Sequence, residues 1–192
     1  METAIKHSGI DMEKSLRETI IETADRLFYQ HGIHAVGINR LIEESGVSKD
    51  SFYRNFRSKE SLIEAYVRAR HEAAMRNFFK VVALHDAPRD QISAIFSDLA
   101  DRVQRHGFRG CAFIMMLAEY SDVPSLATLA REHKEKLRTE IEAICSRFSD
   151  RSAHTARILC VLYEGYLARA TVTRTPDDRK ALLETVESII RN

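Results

Sequence analysis

Apolar residues recur at intervals of three and four along most of the chain, which is the spacing of one face of an α-helix. Alternating polar and apolar runs are scarce, and no Asn-Gly or Asp-Gly pair is present to turn a β-hairpin. The pattern therefore predicts an all-α protein.

Four helices are expected in the first half of the chain. A stripe beginning at Leu16 predicts a first helix that runs to about His31 and ends at a glycine. A second helix opens at Gly37, and Gly46 supplies the left-handed conformation that turns the chain into a third, capped by Ser48. A fourth is expected over 59–84. Later helices are expected at about 90–106, 110–120, 125–149, 152–172 and 177–191.

The overall charge does not single out a partner, because 29 Lys and Arg residues oppose 28 Asp and Glu residues in a chain of 192. The balance is different locally. Within residues 47–59, four basic residues oppose only Asp50, which leaves an excess of three positive charges on the third helix and its flanks. Such a local basic patch is typical of an element that contacts nucleic acid.

The third helix combines an apolar anchor with an outward polar surface. Phe52 and Phe56 lie four residues apart and are expected to pack against the first two helices. Two short helices joined by a glycine turn, the second of them polar and basic, form the layout of a helix-turn-helix DNA reader. The alternative is an amphipathic hairpin whose basic residues are only solvated. The residues left on the outward arcs are Lys49, Asp50, Ser51, Tyr53, Arg54 and Asn55.

The segment Ile42-x-x-x-Gly46-Val-Ser-Lys-x-x-Phe-Tyr53-x-x-Phe56-x-Ser-Lys59-x-x-Leu62 resembles the signature of the TetR family of transcriptional regulators. The resemblance implies a three-helix reading domain over residues 14–62. It also implies that Tyr53 and Lys59 contact operator phosphates, whereas Lys49, Ser51 and Asn55 face the major groove. We accordingly divide the chain into a helix-turn-helix domain, 12–58, and a C-terminal domain, 59–192.

Two positions depart from the family pattern. Many relatives carry Thr where this chain has Ile38, so Asn39 or Arg40 would have to supply the phosphate contact at that helix start. Asp50 either accepts a hydrogen bond from a cytosine amino group or repels the DNA backbone. The complete set of candidate DNA contacts is Asn39, Arg40, Ser48, Lys49, Asp50, Ser51, Tyr53, Arg54, Asn55 and Lys59.

The resemblance implies that the C-terminal half forms a homodimer and binds a small-molecule effector, but it does not identify residues. The last two predicted helices carry apolar stripes wider than one small core requires, which favours packing against the same helices of a second copy. The alternative is that these helices only close the core of their own chain. The candidate interface residues are Leu159, Tyr166, Leu167, Leu182, Leu183, Val186, Ile189 and Ile190.

The segment 110–120 is the candidate effector site, because its aromatic and methionine side chains share one helix face and methionine adapts to irregular space. An ordinary filled core explains the same residues. Cys111 is either a redox or electrophile sensor or a buried, unreactive thiol. The candidate pocket residues are Phe79, Phe96, Arg109, Cys111, Phe113, Met116, Leu117, Tyr120 and Tyr163.

Other classes of protein find little support. Three widely spaced cysteines and scattered histidines predict neither a disulfide framework nor a metal site, and no cofactor is expected. No apolar run is long enough to span a bilayer and no secretory signal is recognisable, so we expect a cytoplasmic protein that does not bind membranes. A small all-α enzyme or ligand carrier with an incidental helix-turn-helix is the main alternative, although no catalytic motif supports it. A protein-interaction adaptor would leave the polar helix surface unexplained.

The resulting hypothesis is a homodimeric repressor rather than an enzyme. Two reading domains would bind a palindromic operator whose half-sites lie about 34 Å apart, one turn of the double helix. A ligand that favours a different spacing of the two domains would release the DNA. The sequence leaves open whether the ligand releases or promotes binding.

Overall fold

A computed structural model describes residues 3–173 and 176–191, with side chains described for 16–173 and 178–191. These residues form nine α-helices and no strand, which confirms the all-α prediction. The helices are α1 (Thr3–His31), α2 (Ile38–Ser45), α3 (Lys49–Asn55), α4 (Lys59–Val82), α5 (Pro88–Gln104), α6 (Ala112–Glu119), α7 (Pro124–Cys145), α8 (Ser152–Val172) and α9 (Pro176–Arg191).

Several helix boundaries differ from the predicted ones, and two of the differences have clear local reasons. Helix α5 begins at Pro88, two residues earlier than expected, because a proline in the first turn lacks only an amide that has no helical partner. Helix α7 ends at Cys145 rather than near residue 149. There the Phe148 amide donates to the Cys145 carbonyl at 3.0 Å, a three-residue spacing that tightens the last turn and ends the α-helix.

The chain divides into two compact units. The first comprises the residues up to Arg70 together with Met115–Leu129, and the second comprises His71–Ile114 and the residues from Ala130 onward. This division differs from the one predicted at residue 58. Helix α4 begins in the first unit and ends in the second, and fifteen residues from the middle of the chain belong to the first unit.

The first unit has a core built from the predicted stripe of α1. Leu27 and Phe28 are buried with Leu41 of α2 and with Phe52 and Phe56 at α3. Between α2 and α3, Gly46 adopts φ +68° and its amide bonds back to carbonyls of α2, as expected for a left-handed helix cap. The anchoring role predicted for the two phenylalanines is confirmed by their burial.

Helix α4 is fixed to the first unit at its start. Ser58 and Ser61 exchange reciprocal bonds, in which each side-chain oxygen accepts from the other residue's backbone amide. Further along, Arg70 pairs with Asp25 of α1 and its guanidinium lies 4.3 Å from the Tyr29 ring centre. Burial raises the pKa of Tyr66 to about 12, so its hydroxyl stays protonated.

The second unit has its own continuous core, to which α5, α7, α8 and α9 all contribute. Phe96 and Leu99 of α5, Ile141 of α7, Leu159 of α8 and Val186 of α9 are each at most 1% exposed. Helix α5 packs against both α8 and α9. None of the described helices is both long and apolar enough to cross a membrane.

Candidate nucleic-acid interface

The outward surface of α3 consists of polar side chains on a buried aromatic base. Lys49, Asp50 and Arg54 are exposed, and Tyr53 is 41% exposed although its ring meets the Phe52 ring edge-on at 5.6 Å. The buried phenylalanine fixes the helix, and the tyrosine remains partly exposed beside it. This arrangement presents a phenol and two cations on a rigid helix, which suits contacts to phosphates and base edges.

The remaining polar residues of α3 organise this surface from within. The Ser48 hydroxyl accepts from the Ser51 amide at 3.1 Å and so caps the helix. The Ser51 hydroxyl accepts from Arg54 at 3.0 Å, and the Asn55 side chain donates to the Ser51 carbonyl at 2.8 Å. Ser51 and Asn55 are half-buried. Some of their hydrogen-bonding groups are already used within the helix and are not free to contact DNA.

At the start of α2, Asn39 and Arg40 are the two candidates for the phosphate contact that relatives make with Thr at position 38. They differ in exposure and in their partners within the protein. Asn39 is exposed. Arg40 pairs with Glu44 at 3.0 Å and lies 3.1 Å from the His31 ring nitrogen Nε2. Arg26 and Arg40 together hold the pKa of the Glu44 carboxyl below its usual range. Asn39 is the better placed of the two, because Arg40 already neutralises a carboxylate.

Lys59 has a partner within the protein that the sequence does not reveal. Its ammonium donates to the Ile33 carbonyl at 2.6 Å and is half-buried. Desolvation lowers the pKa of Lys59, and the nearby Glu119 carboxylate opposes that effect. A phosphate contact by Lys59 would therefore have to compete with the Ile33 carbonyl.

Glu119, His34 and Tyr120 also contribute to the first unit, and sequence reasoning did not connect them to it. The Glu119 carboxylate accepts from the backbone amides of Ile33 and His34, at 2.9 and 2.6 Å. Tyr120, considered for the effector pocket, instead stacks on the His34 ring at 4.4 Å. No local pattern links residues 85 positions apart, so only the fold could reveal these contacts.

The candidate effector residues do not lie together in one unit. Met116, Leu117 and Tyr120 belong to the first unit, whereas the other six belong to the second. Phe79 is 45% exposed, while Phe96 is fully buried and meets Tyr163 edge-on at 5.9 Å. Arg109 is exposed and Cys111 is half-buried.

A partly buried polar cluster lies in the second unit and includes three of the candidate residues. Phe113 stacks on His133 at 3.8 Å, and His133 shares a 3.1 Å hydrogen bond with His71. The Lys134 ammonium donates to the Glu164 carboxylate at 2.6 Å and to the Cys111 sulfur at 3.3 Å. We refer to these residues, with Arg102 and Tyr163, as the polar cluster.

The charge state of the polar cluster follows from its surroundings. Burial lowers the pKa of His133 to about 3, and the positive charge of Lys134 and the proximity of His71 and Arg102 act in the same direction. His133 is therefore neutral at physiological pH. Arg102 donates to the Tyr163 hydroxyl at 2.5 Å, and burial raises the pKa of that phenol despite the guanidinium.

Two buried polar atoms of the cluster have no hydrogen-bond partner among the described residues: Arg102 Nε and Glu164 Oε2. Arg102 Nε does lie 3.0 Å from an Asp98 carboxylate oxygen, but as an ion pair without hydrogen-bond alignment. A buried polar atom without a partner typically costs about 1–3 kcal/mol. Glu164 Oε2 is therefore left without a donor among the described residues, whereas Arg102 Nε is occupied by its ion pair with Asp98.

The candidate dimer residues mostly lie inside the core of a single chain. Six of the eight are buried and pack in the second unit: Leu159, Tyr166, Leu167, Leu182, Val186 and Ile190. Leu183 and Ile189 are only partly buried against the same core. A side chain already buried by its own chain gains little from a second copy, which favours, for these six residues, the alternative that the sequence left open.

A different face of α8 is apolar and exposed. Ile158, Val161 and Val172 are 40%, 69% and 86% exposed, and Gly165 and Ala168 lie between them at helical spacing. Apolar residues continue along the exposed side of this helix for four turns. This exposed apolar stripe is a candidate interaction surface.

No group of three or more potential metal ligands occurs among the residues whose positions are described. Burial raises the pKa of both the Cys145 and Cys160 thiols to about 11, which keeps them protonated. Neither cysteine therefore has the character of a reactive thiolate.

Comparison with known proteins supports the interpretation of the first unit. A family model described as bacterial regulatory proteins of the tetR family matches residues 20–66. The HTH-type transcriptional repressor NemR of Escherichia coli K12 is 25% identical over 189 residues, which cover 93% of this chain and 95% of NemR. YxaF of Bacillus subtilis, an uncharacterized HTH-type transcriptional regulator, is 51% identical over 51 residues, 26% of this chain and 27% of its own.

The fold is shared along nearly the entire chain. The crystal structure of a TetR-family transcriptional regulator from Streptomyces coelicolor superposes with a TM-score of 0.86 at 28% sequence identity. The match covers 93% of this chain and 95% of that protein. The similarity therefore extends from the helix-turn-helix through the C-terminal helices.

Proposed function

Because this chain belongs to the TetR family of transcriptional regulators, we propose that it is a homodimeric repressor that binds an operator and is released by a small molecule. The observation that carries the proposal is the exposed face of α3, where Tyr53, Lys49 and Arg54 stand on a helix fixed by buried phenylalanines. The protein would act in the cytoplasm, where its DNA target lies.

At the operator, each residue of the reading face has a distinct chemical role. Tyr53 donates to a phosphate, and we assign Lys49 to a phosphate as well, although the family resemblance has it face the major groove; together they set the register of the helix on the duplex. Arg54 offers a bidentate contact to guanine, and Asn55 offers one to adenine once its bond to the Ser51 carbonyl is exchanged. Asp50 sits at the exposed start of α3, where it would accept from a cytosine amino group.

We assign the contact between the two copies of the chain to the exposed apolar face of α8. Packing Ile158, Val161 and Val172 against the same residues of a second chain would remove an apolar stripe from water, and Gly165 allows the helices to approach closely. Two-fold symmetry of the dimer then places two reading domains on one DNA duplex. The operator should consequently be an inverted repeat.

The effector is assigned to the polar cluster of the second unit. Its aromatic members supply apolar ring surface, and Glu164 Oε2 supplies an acceptor without a hydrogen-bond donor among the described residues. A small ligand that carries a hydrogen-bond donor would satisfy that acceptor. Convergent polar groups between the helices of a bundle are a common way to orient a ligand.

Selection of DNA tests the proposal directly. The protein is mixed with a library of randomised duplexes in about 0.1 M salt, bound duplexes are recovered over several rounds, and the products are sequenced. We expect an inverted repeat whose half-sites are about 10 base pairs apart from centre to centre, or a multiple of that spacing. Recovery of a random population, with affinity for no duplex above that for bulk DNA, would refute the proposal.

A further inference from the structure

The loop between α1 and α2 is held by a carboxylate from a distant part of the chain. Glu119, the last residue of α6, accepts from the Ile33 amide through Oε1 at 2.9 Å and from the His34 amide through Oε2 at 2.6 Å. Both carboxylate oxygens are used on two consecutive peptide groups. Hydrogen bonds to an ionised acceptor are about twice as strong as those between neutral groups.

The His34 side chain also holds this loop in place. His34 Nε2 lies 2.9 Å from the Glu119 backbone carbonyl, and the His34 ring stacks on Tyr120 with the planes 10° from parallel. Tyr120 is itself buried. The backbone and the ring of His34 are thus both held by residues 119 and 120.

The Ile33 peptide is held from its other end by a cation. Its carbonyl accepts from Lys59, the first residue of α4, while its amide donates to Glu119. One residue of the loop therefore lies between an ammonium and a carboxylate. Gly32 completes the site, because a Cβ at that position would come within 3.1 Å of Glu119 Oε1.

These contacts determine how the chain enters α2. The loop ends at Gly37, which precedes the first residue of α2 and offers no side-chain cap of its own. Helix α2 packs on α1, and α3 packs on α1 as well. Because the turn after α2 is short, a displaced entry into α2 would also displace the reading face of α3.

We infer that Glu119 is a positioning residue for operator recognition, holding the α1–α2 loop so that α2 and α3 present the reading face in one fixed orientation. The inference rests on the proposed DNA-binding function and adds to it a residue outside the helix-turn-helix. Glu119 does not contact DNA in this scheme. It acts through Ile33, His34 and Lys59.

The test compares Glu119→Gln with Asp122→Asn. Both substitutions remove one negative charge from the α6–α7 region, but Asp122 is exposed and makes none of the loop contacts described above. A glutamine can present an acceptor to only one of the two amides. We expect Glu119→Gln to lower the ratio of affinity for a selected duplex over a random duplex about tenfold, as loss of one charge-assisted bond would predict.

Asp122→Asn should leave that ratio within about twofold of wild type, since surface substitutions have small effects. Glu119→Asp retains the charge on a shorter side chain and should give an intermediate ratio. If Glu119→Gln and Asp122→Asn discriminate between the duplexes equally well, Glu119 has no positioning role and the inference is overturned. Thermal unfolding of each variant establishes that the folded protein is being compared.

A second measurement does not depend on DNA. Amide hydrogen exchange at Ile33 and His34, followed by NMR in the free protein, should be at least about tenfold faster in Glu119→Gln than in wild type. Unchanged exchange at both amides would overturn the inference, whatever the DNA result. If instead the exchange accelerates but wild-type protein prefers no duplex, the loop contact stands and the proposed function fails.

Discussion

The two compact units use polar side chains in opposite ways. In the first unit, polar groups on α3 bond to one another or to nearby backbone and still leave an outward surface, as the bond from Arg54 to Ser51 shows. In the second unit, the polar cluster is partly buried, and its Glu164 Oε2 has no hydrogen-bond partner among the described residues. The proposed reading face is internally satisfied, which would suit operator DNA because the duplex presents the same surface each time. The proposed effector site retains an acceptor that a ligand would bond.

The same contrast extends to apolar surface. In the first unit the large aromatic residues Phe28, Phe52 and Phe56 are almost completely buried. In the second unit, α8 is buried along one face and exposes Val161 and Val172 on another. The second unit therefore leaves an apolar helix face exposed, and this is the face that we propose a second chain covers.

The largest expected effect comes from placing a charge in that face. Val161→Glu should weaken dimerisation about a hundredfold, because symmetry would bring two carboxylates into an apolar contact. Sedimentation equilibrium measures the change. Leu84→Glu, at a position 73% exposed in the turn after α4, is the matched control and should dimerise like wild type. Equal dimerisation of the two variants would mean that α8 uses another face.

The next effect concerns the interior of the second unit. The pKa of His133 is about 3 in the folded protein, below the ordinary value of 6.5, so the unfolded chain takes up a proton first as pH falls. Above pH 6.5 His133 is neutral in both the folded and the unfolded chain, and the folded protein has its full stability. As pH falls from 6.5 toward 3, protonation of His133 in the unfolded chain lowers the free energy of unfolding. At pH 5 the loss is about 2 kcal/mol.

Denaturant unfolding at pH 7 and pH 5 checks this expectation. His133→Phe keeps a flat ring against Phe113 but has no proton to gain, so its unfolding free energy should fall less between the two pH values. The comparison uses the change with pH, because the substitution also removes the bond to His71. Equal pH dependence in both proteins would show that His133 does not control acid stability.

A smaller effect is expected on the reading face. Tyr53→Ala should weaken operator binding about tenfold, because the proposed phosphate contact would be lost. It should not lower the unfolding temperature appreciably, because the residue is 41% exposed. Gel-shift titration measures the affinity. Tyr53→Phe separates the hydroxyl from the ring, and it should behave like the alanine variant if the phosphate bond matters. Full affinity in both variants would exclude Tyr53 from the interface.

The smallest effect is best seen in the salt dependence. Lys49→Met should reduce the slope of log affinity against log salt concentration by about 0.9, the contribution of one neutralised phosphate. Lys80→Met removes the same charge from an exposed position on α4 in the second unit and should leave the slope unchanged. Identical slopes for the two variants would show that Lys49 does not meet a phosphate.

Prediction from sequence worked best where the structure depends on neighbouring residues. The Gly46 turn and the Ser48 cap involve contacts over at most four positions, and the burial of Phe52 and Phe56 follows from their spacing. The family motif over 42–62 consists of such local elements, so the fold class and the regulator function could be recognised without coordinates.

Prediction from sequence was weaker where a helix has more than one apolar face. Helix α8 carries apolar residues on several sides, and spacing alone did not show which side its own chain covers. The stripe containing Leu159 and Leu167 turned inward, and the one containing Val161 remained exposed. Burial depends on which helices lie next to α8, and this is a property of the assembled unit.

The sequence alone determined most of the helices, the glycine turn and serine cap of the helix-turn-helix, the exposed polar surface of α3 and the family, because each follows from the chemistry of residues within about one or two helical turns. The tertiary structure alone decided that Glu119 holds Ile33 and His34, that Lys59 bonds to a loop carbonyl, and that His133 is buried beside cations. The physical reason is distance along the chain. Hydrogen bonds and charges act over a few ångströms, so partners tens of residues apart in sequence become partners only when folding brings them together.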